Sequence, residues 1–254
     1  MWLAVAGKGG AGKSVVAGTL ARILARDGAR VLALDSDMMP GLALTLGAEE
    51  PPLPPLLEAA EQDESGRWRL KRGIGPVRAI ARFSTDAPDG VRLLQCGKLT
   101  AAGRAPIMGA FHAYYGIIHR LTRAKTLRSW TIVGDLPAGQ RQLAFDWAPY
   151  AETVVLVVEP TWKSALTARR AARIARSRNV EILTIASQTR SRDDARLVER
   201  LVGEPVVVAV PHDEAVARAE REGAALIDRA PRSPAVRAIE RLADELRARS
   251  LGPG

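Results

Sequence analysis

Cysteine is almost absent from this chain. Cys96 is the only one, so no intrachain disulfide can form, and a lone thiol is what a reducing compartment allows. Long apolar runs are missing too, and none approaches the length that spans a bilayer. The chain enters an apolar stretch at its second residue, which leaves no room for a signal peptide and leads to the expectation of a cytoplasmic protein. Aromatic residues make up only 4% of the 254, but 47% are hydrophobic, ample for the core of one α/β domain over residues 1–254. The net charge of +9 is not gathered in a tail; its arginines are spread through helical segments among Asp and Glu. A generally Arg-rich composition accounts for this, and attraction to polyanions is the sharper alternative.

Against these absences stands Ala6-Gly-Lys-Gly-Gly-Ala-Gly-Lys-Ser14, which follows the apolar run Trp2-Leu-Ala-Val5 and precedes a helical pattern of Val15, Val16, Leu20, Ile23 and Leu24. Strand, glycine-rich loop and helix form the context of a phosphate-binding loop. Glycine permits backbone angles at which successive N–H groups turn inward around a phosphate, and the helix N-terminus adds its own donors and partial positive charge. The phosphate-contacting run is expected to be Gly7, Gly9, Gly10, Ala11, Gly12, Lys13, Ser14 and Val15. Lys13 reaches the β- and γ-phosphates of a nucleotide, and the Ser14 hydroxyl suits Mg²⁺.

Carboxylates appear where such a site needs them. Val31-Leu-Ala-Leu34 reads as a buried parallel strand ending in Asp35-Ser-Asp37, and Trp130-Thr-Ile-Val133 as another ending in Gly134-Asp135. Ligands of open α/β sheets sit at the carboxyl ends of strands. Acidic groups there would repel a triphosphate unless a metal ion lay between, so a metal-bound nucleotide is expected. Asp135, just past an apolar strand, is placed to accept from a Mg²⁺-bound water.

Together these motifs resemble the MinD/ParA and nitrogenase iron-protein class of P-loop ATPases. Lys8-Gly-Gly-Ala-Gly-Lys-Ser14 is similar to its deviant Walker A motif, Asp35-Ser-Asp37 to its switch I, and Asp135-Leu-Pro-Ala-Gly139 to its switch II. The resemblance implies that Lys8 reaches a partner subunit's nucleotide across a homodimer interface. It further implies that Asp35 holds a Mg²⁺-bound water, Asp37 positions the attacking water and Gly139 offers its N–H to the γ-phosphate. Ser187-Gln188 stands where relatives place an Asn-Lys or Asn-Arg pair, so Gln188 or Ser187 takes the role of reading adenine. Pro211-His-Asp213 resembles the turn that packs against the base. Met39 departs from the usual asparagine of switch I.

Chain-wide, the sequence looks most like the branch that includes the nickel-insertion ATPase of carbon monoxide dehydrogenase maturation. That branch carries cysteines before the switch II strand, whereas Gly109 to His119 contains none. Cys96 alone is a poor basis for such a site, and His112 and His119, seven apart, do not have the i, i+4 spacing of paired ligands on one helix. Direct metal carriage is therefore not expected.

The remaining stretches are read more coarsely. Pro51, Pro52, Pro54 and Pro55 mark a surface excursion that covers the sheet, and Trp68-Arg-Leu70 a short edge strand. The first helix should span about Lys13 to Arg26, with Asp27-Gly28 as its stop. A helix over about Lys163 to Ser177 aligns Arg169, Arg173 and Arg176 on one face, either solvated or suited to a phosphate backbone. No aromatic residue interleaves that stripe. A final helix, about Ser233 to Arg249, repeats Val236, Ile239, Leu242 and Leu246, a face for covering the sheet rather than a membrane anchor.

Seven apolar strands alternating with helices predict a doubly wound, mostly parallel sheet. The expected protein is a Mg²⁺-dependent ATPase that dimerises around ATP and regulates or matures a partner protein, slowly unless that partner completes the site. The alternative is a ParA-like positioning ATPase whose ATP dimer binds DNA non-specifically.

Overall fold

Along the first strand, Trp2, Ala4 and Ala6 enter one hydrophobic cluster and Leu3 and Val5 another. A strand buried on both faces has no place for polar side chains, so it reads as an unbroken apolar run. The structure, a computed structural model, describes residues 1–38, 41–97, 104–139, 141–144 and 146–251. The Met39 departure lies outside them.

β1 (Trp2–Gly7) leads through α1 (Lys13–Arg26), β2 (Val31–Asp35) and α2 (Leu42–Leu46) to β3 (Ala60–Gln62), β4 (Trp68–Leu70) and α3 (Pro76–Phe83). Then come β5 (Thr85–Asp86), β6 (Arg92–Gln95), α4 (Arg104–Ile118), β7 (Thr131–Asp135), α5 (Arg141–Ala144), β8 (Thr153–Val158) and α6 (Trp162–Arg176). The chain continues through β9 (Glu181–Thr189), α7 (Arg192–Val202), β10 (Val206–Pro211), α8 (Glu214–Arg221), α9 (Leu226–Arg229) and α10 (Pro234–Leu251).

The main sheet has eight strands in the order β10-β9-β8-β1-β7-β2-β6-β5. Seven are parallel, as the apolar runs predict; the eighth, β5, pairs antiparallel with β6 through Thr85–Leu93 and Asp86–Arg92. The sequence count of seven is corrected by this two-residue edge, which carries no apolar run of its own. Trp68–Leu70 also departs from expectation, because it pairs with Ala60–Gln62 in a separate antiparallel ribbon. The proline-rich excursion ends in a 3-10 turn at Pro55–Ala59. Turn and ribbon cover α4 rather than the sheet: a Cβ on Gly109 would meet Leu57 and Trp68, and one on Gly116 would meet Leu70.

Helices α3, α4, α6 and α7 bury their apolar faces in one cluster, and α1, α2, α8, α9 and α10 in the other. On α10, Val236, Ile239, Leu242 and Leu246 are all buried. Each contributes about 2 kcal/mol by leaving water, and the stripe is thereby spent on the core. Among the described residues no helix is long and apolar enough to cross a membrane. Behind the sheet, Arg22 of α1 is buried and donates to the Leu46 carbonyl at 2.7 Å and to Asp228 at 2.8 and 2.9 Å, and it pairs with Asp89. This fixes α2 at its carboxyl end.

Candidate functional site

The loop after β1 lies at the carboxyl edge of the sheet, where the chain leaves β1 for one face and the neighbouring β8 for the other. Such a switch in winding opens a crevice. Gly10 and Gly12 hold φ of +81° and +90°, which a residue with a Cβ resists. Gly7 is required for close approach: a Cβ there would stand 2.4 Å from the Val157 carbonyl oxygen on β8. Ala11 N–H closes the loop on Lys8 O at 3.3 Å, and α1 starts with Val16 N–H donating to Gly12 O at 3.0 Å. Among the described residues the N–H groups of Gly10, Gly12, Lys13 and Ser14 meet no protein acceptor. Unpaired donors at a helix N-terminus, with its partial positive charge, can take an anion.

Asp35 and Asp135 lie opposite each other in the β2–β7 register. Asp35 Oδ1 accepts from Asp37 N–H and Oδ2 from Leu42 N–H, both at 3.1 Å, so this carboxylate ties the start of α2 back to the end of β2. Burial pushes the Asp35 carboxyl up to about 7, with the Asp135 charge adding to it against those two hydrogen bonds. Burial also pushes Asp135 up to about 6, although the Ser14 hydroxyl and the Lys13 charge pull it back. Asp135 Oδ1 is buried and has no hydrogen-bond partner among the described residues. A buried, unpaired carboxylate oxygen is costly without a cation. Hard oxygen donors suit Mg²⁺, so Ser14, Asp35 and Asp135 fit that ion. Asp37 is half-buried on the same segment.

Gly139 N–H donates to Gly7 O at 3.0 Å, laying the segment after β7 along the phosphate loop. Lys8 is turned away from the carboxylates: its Nζ lies 3.1 Å from Glu159 Oε2, just past β8. No role for Glu159 is legible along the chain, because its partner is 151 residues distant. Likewise unforeseen, the Tyr114 hydroxyl on α4 meets Ser36 Oγ at 2.7 Å, joining that helix to the carboxylate segment.

Beside the loop lies a cavity of about 230 Å³, lined among others by Gly12, Val16, Ser187, Gln188, Pro211 and Asp213. Its walls are largely apolar, which suits a base. Ser187 and Gln188 belong to β9 itself, and Gln188, at φ +54°, donates its amide to Gly10 O at 2.7 Å. Ser187 Oγ is buried without a partner among the described residues. Both Asp213 oxygens are engaged by backbone, Oδ1 by Ala215 N–H at 2.9 Å and Oδ2 by Ala235 N–H at 3.0 Å. Burial raises this carboxyl, but those hydrogen bonds outweigh it and leave it lowered. Asp213 thus ties α8 and α10 into the cavity wall.

The structure therefore gathers the loop, Lys13, Ser14, Asp35, Asp37, Asp135 and Gly139 at one sheet edge, with Gln188, Pro211 and Asp213 at the adjoining cavity. Cys96 lies directly behind, its N–H donating to Asp35 O at 2.7 Å. Burial, and then the charges of Asp35 and Asp37, push its thiol up, so it stays protonated. His119 is engaged elsewhere, with Nε2 3.0 Å from the Asp146 carbonyl.

Residues 2–227 match the family described as the CobQ/CobB/MinD/ParA nucleotide binding domain. The chain is 28% identical over 233 residues to an uncharacterized ATP-binding protein of Methanocaldococcus jannaschii, covering 87% of this chain and 88% of that one. It is also 28% identical over 243 residues to the carbon monoxide dehydrogenase accessory protein CooC of Rhodospirillum rubrum, covering 91% of each. Among solved structures, the septum site-determining protein MinD of Pyrococcus horikoshii, complexed with Mg-ADP, superposes with a TM-score of 0.70 at 20% identity, covering 98% of this chain and 97% of that one.

Proposed function

This chain belongs to the CobQ/CobB/MinD/ParA nucleotide-binding family, and on that premise we propose that it is a Mg²⁺-dependent ATPase switch that dimerises around ATP and acts on a partner protein. It is carried by the buried Oδ1 of Asp135, set beside Ser14 and Lys13 at the mouth of the loop; like the N–H groups of Gly10, Gly12, Lys13 and Ser14, this oxygen meets no partner among the described residues. The Gly9–Ser14 backbone and Lys13 bind the phosphates. Ser14, Asp35 and Asp135 hold Mg²⁺ directly or through water. Bound there, the ion neutralises charge on the phosphate oxygens. Asp37 orients the attacking water, and Lys8 reaches the nucleotide of the second subunit. Gly139 exchanges the Gly7 carbonyl for the γ-phosphate and returns on hydrolysis, which makes nucleotide state a conformational signal. The base occupies the cavity between Val16 and Pro211, with Gln188 and Ser187 at its polar rim.

Chemistry of this kind depends on positioning and charge, so the rate stays low until a partner completes the site. Similarity to an accessory protein of carbon monoxide dehydrogenase supports a partner enzyme. Cys96 is the only cysteine and is buried, which speaks against carriage of the metal by this chain. Lys13→Ala should abolish ATP binding in calorimetry; normal binding by that variant would remove the site assignment.

A second reading, DNA binding by the ATP dimer, is favoured by one observation. Arg169 and Arg173 on α6 are exposed and form no ion pair among the described residues, although Arg176 of the same stripe is paired with Glu204. ATP-dependent retention on DNA that weakens steeply with salt would favour it, and no retention would favour the accessory role.

A further inference from the structure

The two lysines of the phosphate loop face different partners. Lys13 adds its charge to the Asp135 carboxylate, whereas Lys8 Nζ is 3.1 Å from Glu159 Oε2 and at the edge of contact with its neighbour's carbonyl, Gly9 O, at 3.5 Å. This pairing is built into the strand ends. Gly7 and Val157 are register partners in β1 and β8, so the residues just beyond them emerge side by side. Glu159 is held in place from below. Its N–H donates to the buried Ser164 Oγ at 3.0 Å, and Ser164 N–H donates to Thr161 Oγ1, the cap of α6, at 3.3 Å. The side chains remain 38% and 19% exposed, so the ion pair is a weak latch that a stronger anion can open.

We propose that Glu159 is a positioning residue for Lys8: it holds the ammonium over its own subunit, and this contact must break before Lys8 can act across a nucleotide-bound dimer. The inference rests on the dimer reading above. A lysine that reaches the partner's phosphates leaves its own Glu159, and two such pairs open for each dimer formed. Glu159 thereby opposes dimerisation and sets the concentration at which ATP assembles the two subunits.

The test uses the Asp37→Ala protein as parent, so that ATP persists, with dimer dissociation constants measured by analytical ultracentrifugation in Mg²⁺ and ATP. Glu159→Gln is expected to tighten the dimer roughly 3- to 30-fold, since two exposed pairs are released. Glu159→Asp should lie between the parent and Glu159→Gln, and the gain should shrink at high salt, where the parental pair is already screened. In a Lys8→Gln background the same Glu159→Gln change should have no effect. An unchanged or looser Glu159→Gln dimer, or an equal gain in the Lys8→Gln background, overturns the inference while the dimer reading stands. A parent that forms no dimer with ATP overturns both.

Discussion

The N–H of Gly139 donates to the carbonyl oxygen of Gly7 at 3.0 Å, which fastens the segment after β7 to the phosphate loop. That N–H has one hydrogen to give, and a phosphate oxygen receives it only once Gly7 has lost it. Gly139 has φ of +98°, strained for any residue with a Cβ. Gly139→Ala is expected to slow phosphate release about 100- to 1,000-fold, the usual cost of losing one oxyanion donor. Its ADP affinity by calorimetry should be unchanged, because ADP has no γ-phosphate to lose the contact.

Asp135 presents a conflict between stability and binding. Its Oδ1 is buried without a partner among the described residues. Asp135→Asn removes that charge and should raise the nucleotide-free unfolding free energy by about 1 kcal/mol in urea titrations. The same variant should lose the gain in ATP affinity that Mg²⁺ gives the parent.

The two buried carboxyls also set a pH dependence. Asp35 is pushed from an ordinary 3.8 to about 7 and Asp135 to about 6, so the folded chain keeps protons that the unfolded chain has lost. Where the folded state binds more protons, stability falls as pH rises. Stability without nucleotide should therefore decline from about pH 4 to about 7. The lowered carboxyls of Asp89 and Asp213 act below that window. Melting temperatures of the parent and Asp35→Asn across this range check the assignment, with the slope expected to flatten in the variant.

Arg22 is 2% exposed and holds Asp89, Asp228 and the Leu46 carbonyl. Arg22→Ala removes the donor to the Leu46 carbonyl and leaves Asp89 and Asp228 to Arg26 alone, and should cost about 2 kcal/mol in urea unfolding. Arg22→Lys keeps the charge but not the planar fork, and should cost less.

What the sequence made legible was local. α1 spans Lys13–Arg26, as its caps and apolar spacing predict, and the seven parallel strands lie where the apolar runs lie. The three motifs each end a strand, and the parallel topology brings them to one edge. What escaped was set by distant pairing. Thr85–Asp86 is a strand only because Arg92–Leu93 lies beside it, and Trp68–Leu70 found a partner in Ala60–Gln62 rather than in the main sheet. Gln188 lies within β9 and donates to Gly10 of the phosphate loop, 178 residues away in sequence. The tie of Asp213 Oδ2 to Ala235 N–H, 22 residues on, has no local signature. The Lys8–Glu159 pair joins residues 151 apart and has no local signature.

On the proposed function, ATP assembles two copies of this chain. Solution mass by light scattering on Asp37→Ala protein, with Mg²⁺ and ATP and then with ADP, tests it most directly. A dimer with ATP and a monomer with ADP are expected. A monomer under both conditions would contradict it, removing the role of Lys8 across the interface and leaving an ATPase that works alone.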